Sequence, residues 1–217
     1  MALAIFDLDH TLLAGDSDHA WGDFMVERGI VDGATYRAAN ERYYADYQAG
    51  TLDIFDFLAF ALAPLARLDR STLDALHAEF METHICPMVA PGTPALLAKH
   101  RARGDTLIII TATNRFVTAP VARLLGVEHL IATDLEERDG RYTGQVAGTP
   151  CYREGKVTRL HAWMRAHSAN LVGSACYSDS HNDLPLLGEV AQPVAVDPDP
   201  TLRREALARG WPIISLR

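Results

Sequence analysis

The sequence predicts an α/β fold in which a doubly wound parallel sheet carries a small all-helical cap inserted after its first strand. Short apolar runs of strand length recur along the chain, and helical patterns separate the later ones. The long stretch between the first two runs contains helix signals and no convincing strand. Strands that alternate with helices favour a parallel sheet covered on both faces, with its binding crevice beyond the carboxyl ends of the strands.

The predicted strands are apolar runs bounded by turn signals, each about as long as a buried strand. They cover residues 3–8, 106–111, 129–133, 171–178 and 193–196. The helical patterns of the second half of the chain cover residues 94–103, 115–125 and 154–167. Gly104 and Gly126 end the first two of these helices, since glycine commonly follows the last helical turn.

Helix signals fill the segment between the first two strands. They predict helices over residues 17–28, 33–49, 54–63 and 72–83. Pro64 is expected to end the third helix, and Ser71 to cap the fourth, with Asp74 placed for a capping box. Pro91-Gly92 marks the return to the sheet. We therefore predict a catalytic core made of residues 1–15 and 90–217 and a helical cap domain made of residues 16–89.

One further segment departs from the alternation of strands and helices. Residues 135–146 predict two short polar strands around Asp139-Gly140, a dipeptide that tight hairpin turns favour. We therefore expect an antiparallel hairpin outside the parallel sheet.

The composition is typical of a globular protein and narrows the range of partners. The chain has 217 residues, 48% of them hydrophobic, and a formal net charge of -8. This charge argues against binding to nucleic acid or anionic lipid by bulk electrostatics, and no apolar run is long enough to span a membrane. Cys86, Cys151 and Cys176 are far apart, a pattern typical of reduced thiols in a cytoplasmic protein.

Polar residues with related chemistry follow the predicted strands and begin one predicted helix. They are Asp7, Asp9, Thr111, Lys156, Asp179, Asn182 and Asp183. Because the carboxyl ends of parallel strands meet at one edge of a sheet, we expect these side chains to converge. Clustered carboxylates repel one another, and a divalent cation removes that cost. Ligation by oxygen alone favours Mg²⁺ or Ca²⁺ over zinc.

This set of residues fits phosphoryl transfer through a covalent intermediate. Asp7 can attack phosphorus, and Asp9 can protonate the leaving alkoxide and later take a proton from the attacking water. Asp7 and Asp179 can hold Mg²⁺, which cancels repulsion between the nucleophile and the phosphate. Thr111 offers a hydroxyl to a phosphate oxygen. Lys156 offers a positive charge beside the backbone N–H groups of a helix N-terminus.

The motifs and their order resemble those of the haloacid dehalogenase superfamily, and within it the phosphoserine-phosphatase-like group. The matching residues are Asp7-Leu8-Asp9-His10-Thr11-Leu12, Thr111, Lys156, and Asp179 with Asn182-Asp183. The resemblance implies a magnesium-dependent phosphatase with Asp7 as nucleophile and Asp9 as acid and base. It also implies that Asp7, the carbonyl of Asp9 and Asp179 bind Mg²⁺, with Asp183 in contact with the metal or directly behind it.

The resemblance further implies contacts of Ala112, Thr113 and Asn182 with the phosphate ester. Asp16 stands where phosphoserine phosphatases have a glutamate that recognises the substrate amine, so an amine-bearing small molecule is expected. The arginine with which those enzymes bind the serine carboxylate is missing from residues 53–61. Since an unpaired buried carboxylate costs roughly 1–3 kcal/mol or more, we expect weak activity on phosphoserine.

An ester without a carboxylate, such as histidinol phosphate, therefore fits better. Some relatives that share the pattern Gly15-Asp16-Ser17-Asp18 are assigned as histidinol phosphatases, which favours the same substrate. His10 and His181 flank the motifs, and we interpret both as positions at the rim of the site.

Other functions share parts of the pattern. A phosphoserine phosphatase or a phosphomutase would use the same Asp7 and Asp9, and the mutase would return the phosphoryl group to its substrate. A receiver-type signalling module also combines an acidic cluster, a threonine and a lysine on a parallel sheet. Receivers, however, accept phosphate on a mid-chain aspartate and have no cap. A lipid-phosphate phosphatase is a further alternative, but the absence of an apolar run long enough to span a membrane argues against it.

Overall fold

The computed structural model describes residues 2–217 and confirms the predicted α/β fold. The strands are β1 (Leu3–Phe6), β2 (Thr106–Asn114), β3 (His129–Thr133), β4 (Leu135–Arg138), β5 (Arg141–Val146), β6 (Ala175–Ser178), β7 (Gln192–Val196) and β8 (Ile213–Ile214). Six of them form one parallel sheet in the order β3-β2-β1-β6-β7-β8. β1 therefore lies inside the sheet, between β2 and β6.

Both faces of this sheet are buried. On β1, Ala4 and Phe6 belong to the larger apolar cluster on one face, and Leu3 and Ile5 to the cluster on the other. Neighbouring side chains of a strand point to opposite faces, so a continuous apolar run is what a strand covered on both sides requires. The run that the sequence presents at its N-terminal end thus becomes an interior strand.

The helices of the described residues flank the sheet or lie between its first two strands. They are α1 (Ser17–Glu27), α2 (Gly33–Ala49), α3 (Ile54–Arg67), α4 (Arg70–Phe80), α5 (Cys86–Met88), α6 (Thr93–Ala102), α7 (Arg115–Leu124), α8 (Glu154–His167), α9 (Leu184–Leu187) and α10 (Pro200–Arg209). α1 to α5 form the helical insert that the sequence predicts after the first strand. The division into domains at residues 16 and 89 stays a prediction.

Two boundaries in the insert differ from the prediction. α3 does not end before Pro64 but continues to Arg67, because Pro64 and Leu65 are buried and the packing of this face compensates for one lost backbone hydrogen bond. The cap of α4 is Asp69 and not Ser71: the Asp69 carboxylate accepts from the Thr72 N–H at 2.8 Å and from the Ser71 hydroxyl at 2.6 Å. A carboxylate satisfies the free N–H groups at a helix start at least as well as a serine hydroxyl.

The predicted hairpin is confirmed. β4 and β5 pair antiparallel, and Asp139 and Gly140 both have positive φ, 51° and 75°. Positive φ at both central residues is the requirement of the tight turn that this dipeptide favours. β5 packs against α3, so the hairpin braces the helical insert.

Three smaller findings complete the fold. α10 has no counterpart among the predicted elements, and Asp199 caps it through the N–H groups of Thr201 and Leu202. The cysteines form no disulfide within residues 2–217. In the same residues, no helix is both long enough and apolar enough to cross a membrane.

Candidate active site

The carboxyl ends of β1, β2 and β6 bring the predicted residues to one edge of the sheet. Asp7 directly follows β1 and donates its N–H to the Tyr177 carbonyl of β6 at 2.9 Å. The chain then makes a tight turn over Leu8–Leu12, in which His10 has a φ of 56°. This turn places the Asp9 carboxylate near Thr111 and Thr113 of β2. The convergence expected from parallel strands is therefore present.

At the base of the site lies a group of charged residues that we call the floor: Asp7, Asp9, Asp179, Asp183 and Lys156. The Lys156 ammonium donates to Asp7 Oδ1 at 2.7 Å and to Asp183 Oδ2 at 2.8 Å. Lys156 and Asp183 are each 2% exposed and Asp7 is 4% exposed. Ion pairs this deeply buried gain strength from the low local dielectric, and each partner becomes costly without the other.

The floor carries more negative charge than Lys156 neutralises. Burial, opposed by Lys156 and assisted by Asp183, raises the pKa of Asp7 to about 7. Burial and the nearby Asp7 raise the pKa of Asp179 well above its usual range. Burial works against the charged form of Lys156, but Asp183 and Asp7 outweigh it and raise the pKa of the ammonium group. The floor thus favours an additional cation.

Asp9 is held by three donors at the edge of the floor. Its Oδ1 accepts from the Ser17 N–H at 2.7 Å, and its Oδ2 accepts from the hydroxyls of Thr113 at 2.8 Å and Thr111 at 3.3 Å. Ser17 begins α1, so this carboxylate joins the helical insert to the sheet. The geometry fixes the direction of Asp9 independently of Lys156.

Asp179 is positioned by Thr11. The Thr11 hydroxyl donates to Asp179 Oδ1 at 2.9 Å and accepts from the Asp179 N–H at 3.0 Å. Asp183 instead faces Lys156 and also accepts from the Ser178 hydroxyl at 2.7 Å. The Asp183 carboxylate, like that of Asp9, is therefore engaged by donors of the protein itself.

The donor set of the floor fits Mg²⁺. Among residues 2–217, no group of three or more His, Cys, Asp or Glu side chains is arranged to hold a metal. Mg²⁺ does not require such a cage, since it commonly takes one or two carboxylates and completes its shell with water and substrate phosphate. The carboxylates of Asp7 and Asp179 and the carbonyl of Asp9 are hard oxygen donors of this kind.

Above the floor, the helical insert closes a narrow cavity with a set of residues that we call the wall: Asp16, Asp18, Tyr43, Tyr44 and Phe57. The cavity is also lined by Asp7, Asp9, Thr111, Ala112 and Thr113, so it reaches the predicted nucleophile. The cavity lining includes Ala112, Thr113 and Asp16, so each of them lies where the predicted contact with a substrate is possible.

Asp16 has a second role as the cap of α1. Its Oδ1 accepts from the N–H groups of Asp18 and His19, each at 2.9 Å. Burial, together with the charge of Asp9, raises the pKa of Asp16 to about 6. Burial, with the charges of Asp16 and Asp9, raises the pKa of Asp18 well above its usual range. The wall is thus also rich in negative charge.

Asn182, which the sequence assigns to the phosphate, lies where the insert meets the sheet. Its Oδ1 accepts from the Tyr152 hydroxyl at 3.1 Å and from Arg153 Nε at 3.0 Å, and its Nδ2 donates to the Tyr47 carbonyl at 3.1 Å. Arg153 also donates to the Gly50 carbonyl at the end of α2. We call Tyr47, Gly50, Tyr152, Arg153 and Asn182 the junction.

The junction contains residues that sequence reasoning missed. Arg153 has a φ of 49° and precedes α8, but no motif in the sequence points to it. The two histidines flank the site, in agreement with a rim position. His10 Nε2 lies 2.9 Å from the Tyr44 hydroxyl, and His181 Nδ1 lies 2.8 Å from Asp199 Oδ2.

Comparison with known proteins agrees with the geometry. The family model for haloacid dehalogenase-like hydrolases matches residues 4–188. A histidinol-phosphatase of Neisseria meningitidis serogroup C is 47% identical over 219 residues, which cover 99% of each chain. A phosphoserine phosphatase of Mycobacterium tuberculosis is 32% identical over 222 residues, which cover 100% of this chain and 71% of that protein.

Solved structures show the same fold. A protein of unknown function from Bordetella pertussis Tohama I superposes with a TM-score of 0.94 at 46% identity, covering 100% of this chain and 99% of that one. A phospho-aspartyl intermediate analogue of phosphoserine phosphatase superposes with a TM-score of 0.73, covering 100% of this chain and 93% of that one. Its 17% identity supports the fold alone. The chain therefore belongs to the haloacid dehalogenase-like hydrolases, among the phosphatases that resemble phosphoserine phosphatase.

Proposed function

We propose that this phosphatase is a magnesium-dependent phosphomonoesterase that forms an aspartyl phosphate on Asp7 and acts on a small amine-bearing metabolite. The observation that carries the proposal is the buried contact between Asp7 and Lys156, 2.7 Å apart, at the bottom of a cavity open to a substrate. Lys156 stabilises the ionised form of Asp7, which is the form that can attack phosphorus.

The chemistry divides between the two aspartates. An Asp7 oxygen attacks phosphorus while the bond from phosphorus to the ester oxygen breaks, and the carboxylic acid of Asp9 protonates the leaving alkoxide. Asp9, now a carboxylate, takes a proton from a water molecule that attacks the phosphoryl group. The bond from phosphorus to Asp7 then breaks and phosphate is released. The hydroxyls of Thr111 and Thr113 donate to Asp9 and hold its carboxylate in place for the two proton transfers.

Mg²⁺ would be held by the carboxylates of Asp7 and Asp179 and by the carbonyl of Asp9. When bound, it would neutralise charge on the phosphoryl oxygens and on the nucleophile. Thr11 keeps Asp179 in place for this task. Asp183 acts through Lys156, since it fixes the ammonium group beside Asp7.

The lining of the cavity supports an alcohol that carries an amine and no carboxylate as the leaving group. Asp16 offers a carboxylate to an ammonium group, and the cavity lining within residues 2–217 includes neither lysine nor arginine. A substrate carboxylate would therefore lose its hydration without gaining a cation. The histidinol-phosphatase relative, at 47% identity over the full chain, supports histidinol phosphate as the substrate of this protein.

The nucleophile is tested with the variant Asp7→Asn and with Asp74→Asn as a matched control. Asp74 is an exposed carboxylate on α4, so the control removes the same charge away from the cavity. We expect Asp7→Asn to reduce phosphate release by at least about 10⁴-fold and to abolish phosphorylation of the protein seen by mass spectrometry. Full activity of Asp7→Asn would refute the assignment.

The substrate is tested by measuring kcat/KM for histidinol phosphate and for phosphoserine with added Mg²⁺. We expect histidinol phosphate to be hydrolysed with at least about tenfold higher kcat/KM, because one unpaired buried charge costs more than about 1 kcal/mol. A preference for phosphoserine would contradict the argument from the missing arginine. Formation of a phosphorylated isomer without free phosphate would identify a mutase instead.

A further inference from the structure

The wall contains a second carboxylate, Asp18, that the proposed chemistry does not use. Asp18 lies in the first turn of α1 and lines the same cavity as Asp7 and Asp16. No side-chain nitrogen of a Lys, Arg or His among residues 2–217 lies within 4.0 Å of either carboxylate, so neither Asp16 nor Asp18 forms an ion pair there. One ammonium group can neutralise one of these two carboxylates, and the other remains without a cation.

The protein itself contributes little to Asp18. The Asn114 amide approaches Asp18 Oδ1 at 3.5 Å, the outer limit of a hydrogen bond. The Oδ1 of the same amide accepts from the Val117 N–H and caps α7, which fixes the Asn114 side chain at this distance from Asp18. His19, which also lines the cavity, directs its ring nitrogens toward Asp23 and Glu41. Within residues 2–217, the Asn114 amide is therefore the only hydrogen-bond donor to the Asp18 carboxylate.

Aromatic rings form a large part of the cavity lining, and three of its four tyrosines have hydroxyl groups that are engaged outside it. The Tyr43 hydroxyl donates to Asp56, the Tyr44 hydroxyl contacts His10, and the Tyr152 hydroxyl donates to Asn182. None of these three partners lines the cavity. These three tyrosines therefore present ring surface and not hydroxyl groups to a ligand. Such surfaces favour a planar ring or a cation.

We infer that Asp18 is a specificity-determining residue that binds the N–H of a planar, nitrogen-bearing ring on the leaving group, while Asp16 binds its ammonium group. The inference rests on the proposed function and refines its substrate class to phosphate esters with two separate nitrogen groups. An imidazole suits both the Asp18 carboxylate and the aromatic rings of the wall, because it can donate an N–H to a carboxylate and stack on an aromatic ring.

Four esters separate the two contacts. Histidinol phosphate carries the amine and the ring, phosphoethanolamine the amine alone, 2-(imidazol-4-yl)ethyl phosphate the ring alone, and p-nitrophenyl phosphate neither nitrogen group. We expect Asp18→Asn to raise KM by about tenfold or more for the two imidazole esters and to leave phosphoethanolamine and p-nitrophenyl phosphate unchanged. Asp16→Asn should raise KM for the two amine esters. Glu27→Gln, which removes a charge at the exposed end of α1, serves as the control.

The outcomes distinguish the inference from the function on which it rests. An equal loss on all four esters would show that Asp18 supports the fold or the chemistry and would overturn the inference. If the wild-type enzyme hydrolyses phosphoethanolamine and p-nitrophenyl phosphate but gains nothing from the imidazole ring, the inference fails and the phosphatase function stands. If none of the four esters is hydrolysed, the proposed function fails and takes the inference with it.

Discussion

The floor and the wall of the cavity are both acidic, but they differ in how the protein treats their charge. In the floor, Lys156 binds two of the carboxylates directly, and Thr11 binds a third. In the wall, Asp16 and Asp18 receive backbone or amide N–H groups and no cation. The floor is therefore largely organised before a ligand arrives. The carboxylates of the wall have no cationic partner in the protein, an arrangement that suits a positively charged ligand.

The largest expected effect comes from breaking the pairing in the floor with Lys156→Met. Removing the ammonium group leaves Asp7 and Asp183 buried and unpaired, which is expected to cost about 3–5 kcal/mol in the free energy of unfolding. The loss should shrink at lower pH, because the two carboxylates can then take up protons. Denaturant unfolding at several pH values and a phosphate-release assay measure both consequences.

The control for this variant is Lys99→Met, because Lys99 is exposed on α6 and is the other lysine of the chain. We expect it to change the free energy of unfolding by less than about 0.5 kcal/mol. Equal stabilities of Lys156→Met and Lys99→Met would show that the floor does not depend on its ion pairs.

In the wall, replacing Asp16 by Asn should have the opposite effect and raise the free energy of unfolding at neutral pH. Its pKa is raised from 3.8 to about 6, so the folded protein binds this proton more tightly than the unfolded chain. The contribution of Asp16 to the free energy of unfolding is then greatest below pH 4 and falls as pH rises to 6, a loss of about 3 kcal/mol at most. Asp16→Asn keeps the helix cap and removes the charge, so we expect it to be more stable than wild type at pH 7.

Asp32→Asn is the matched comparison for Asp16→Asn. Asp32 caps α2 as Asp16 caps α1, but the hydroxyl and N–H of Thr35 lower the pKa of Asp32. The charge of Asp32 therefore favours the folded state at neutral pH. From pH 5 to 7, Asp32→Asn should be less stable than wild type, whereas Asp16→Asn should be more stable than wild type. Thermal unfolding from pH 4.5 to 7.5 measures both. A gain for Asp16→Asn that does not grow with pH would contradict the electrostatic explanation.

The sequence predicts the floor better than it predicts the wall or the junction. Asp7 follows an apolar strand, and strand ends converge by topology alone, so their side chains can be placed without knowing any loop. The turn at Asp139-Gly140 is likewise encoded locally. By contrast, the partners of Asn182 depend on where the end of α2 meets the sheet, and no local pattern specifies that approach.

The same distinction explains the errors in element boundaries. Pro64 has the local signature of a helix end, but tertiary burial of α3 overrides it. At α4, both Asp69 and Ser71 have cap chemistry, and the fold selects one of them. Asp199-Pro200 is a local start signal for α10, because an acidic cap is followed by proline. The start of this helix can therefore be predicted from the sequence.

The smallest expected effect concerns the junction, where the wall is joined to the floor, and is tested with Gly50→Ala. Gly50 ends α2 with a φ of 70°, and a Cβ built there would lie 2.6 Å from His181 Nε2 and 3.0 Å from the guanidinium of Arg153. The backbone conformation alone costs an alanine about 1 kcal/mol. Displacing His181 and Arg153, which hydrogen-bond to Asp199 and Asn182, should add a further loss of about 1 kcal/mol.

Gly210→Ala separates the two contributions. Gly210 ends α10 with a φ of 68°, and a Cβ added there would meet no heavy atom of residues 2–217 within 4 Å. Gly210→Ala should lower the free energy of unfolding only through the unfavourable backbone conformation, because the added Cβ displaces no side chain. The difference between the two variants in the free energy of unfolding, measured with denaturant, therefore reports the cost of displacing His181 and Arg153 at the end of α2. Equal losses would mean that the contacts of His181 and Arg153 with the end of α2 contribute nothing to holding the wall over the floor.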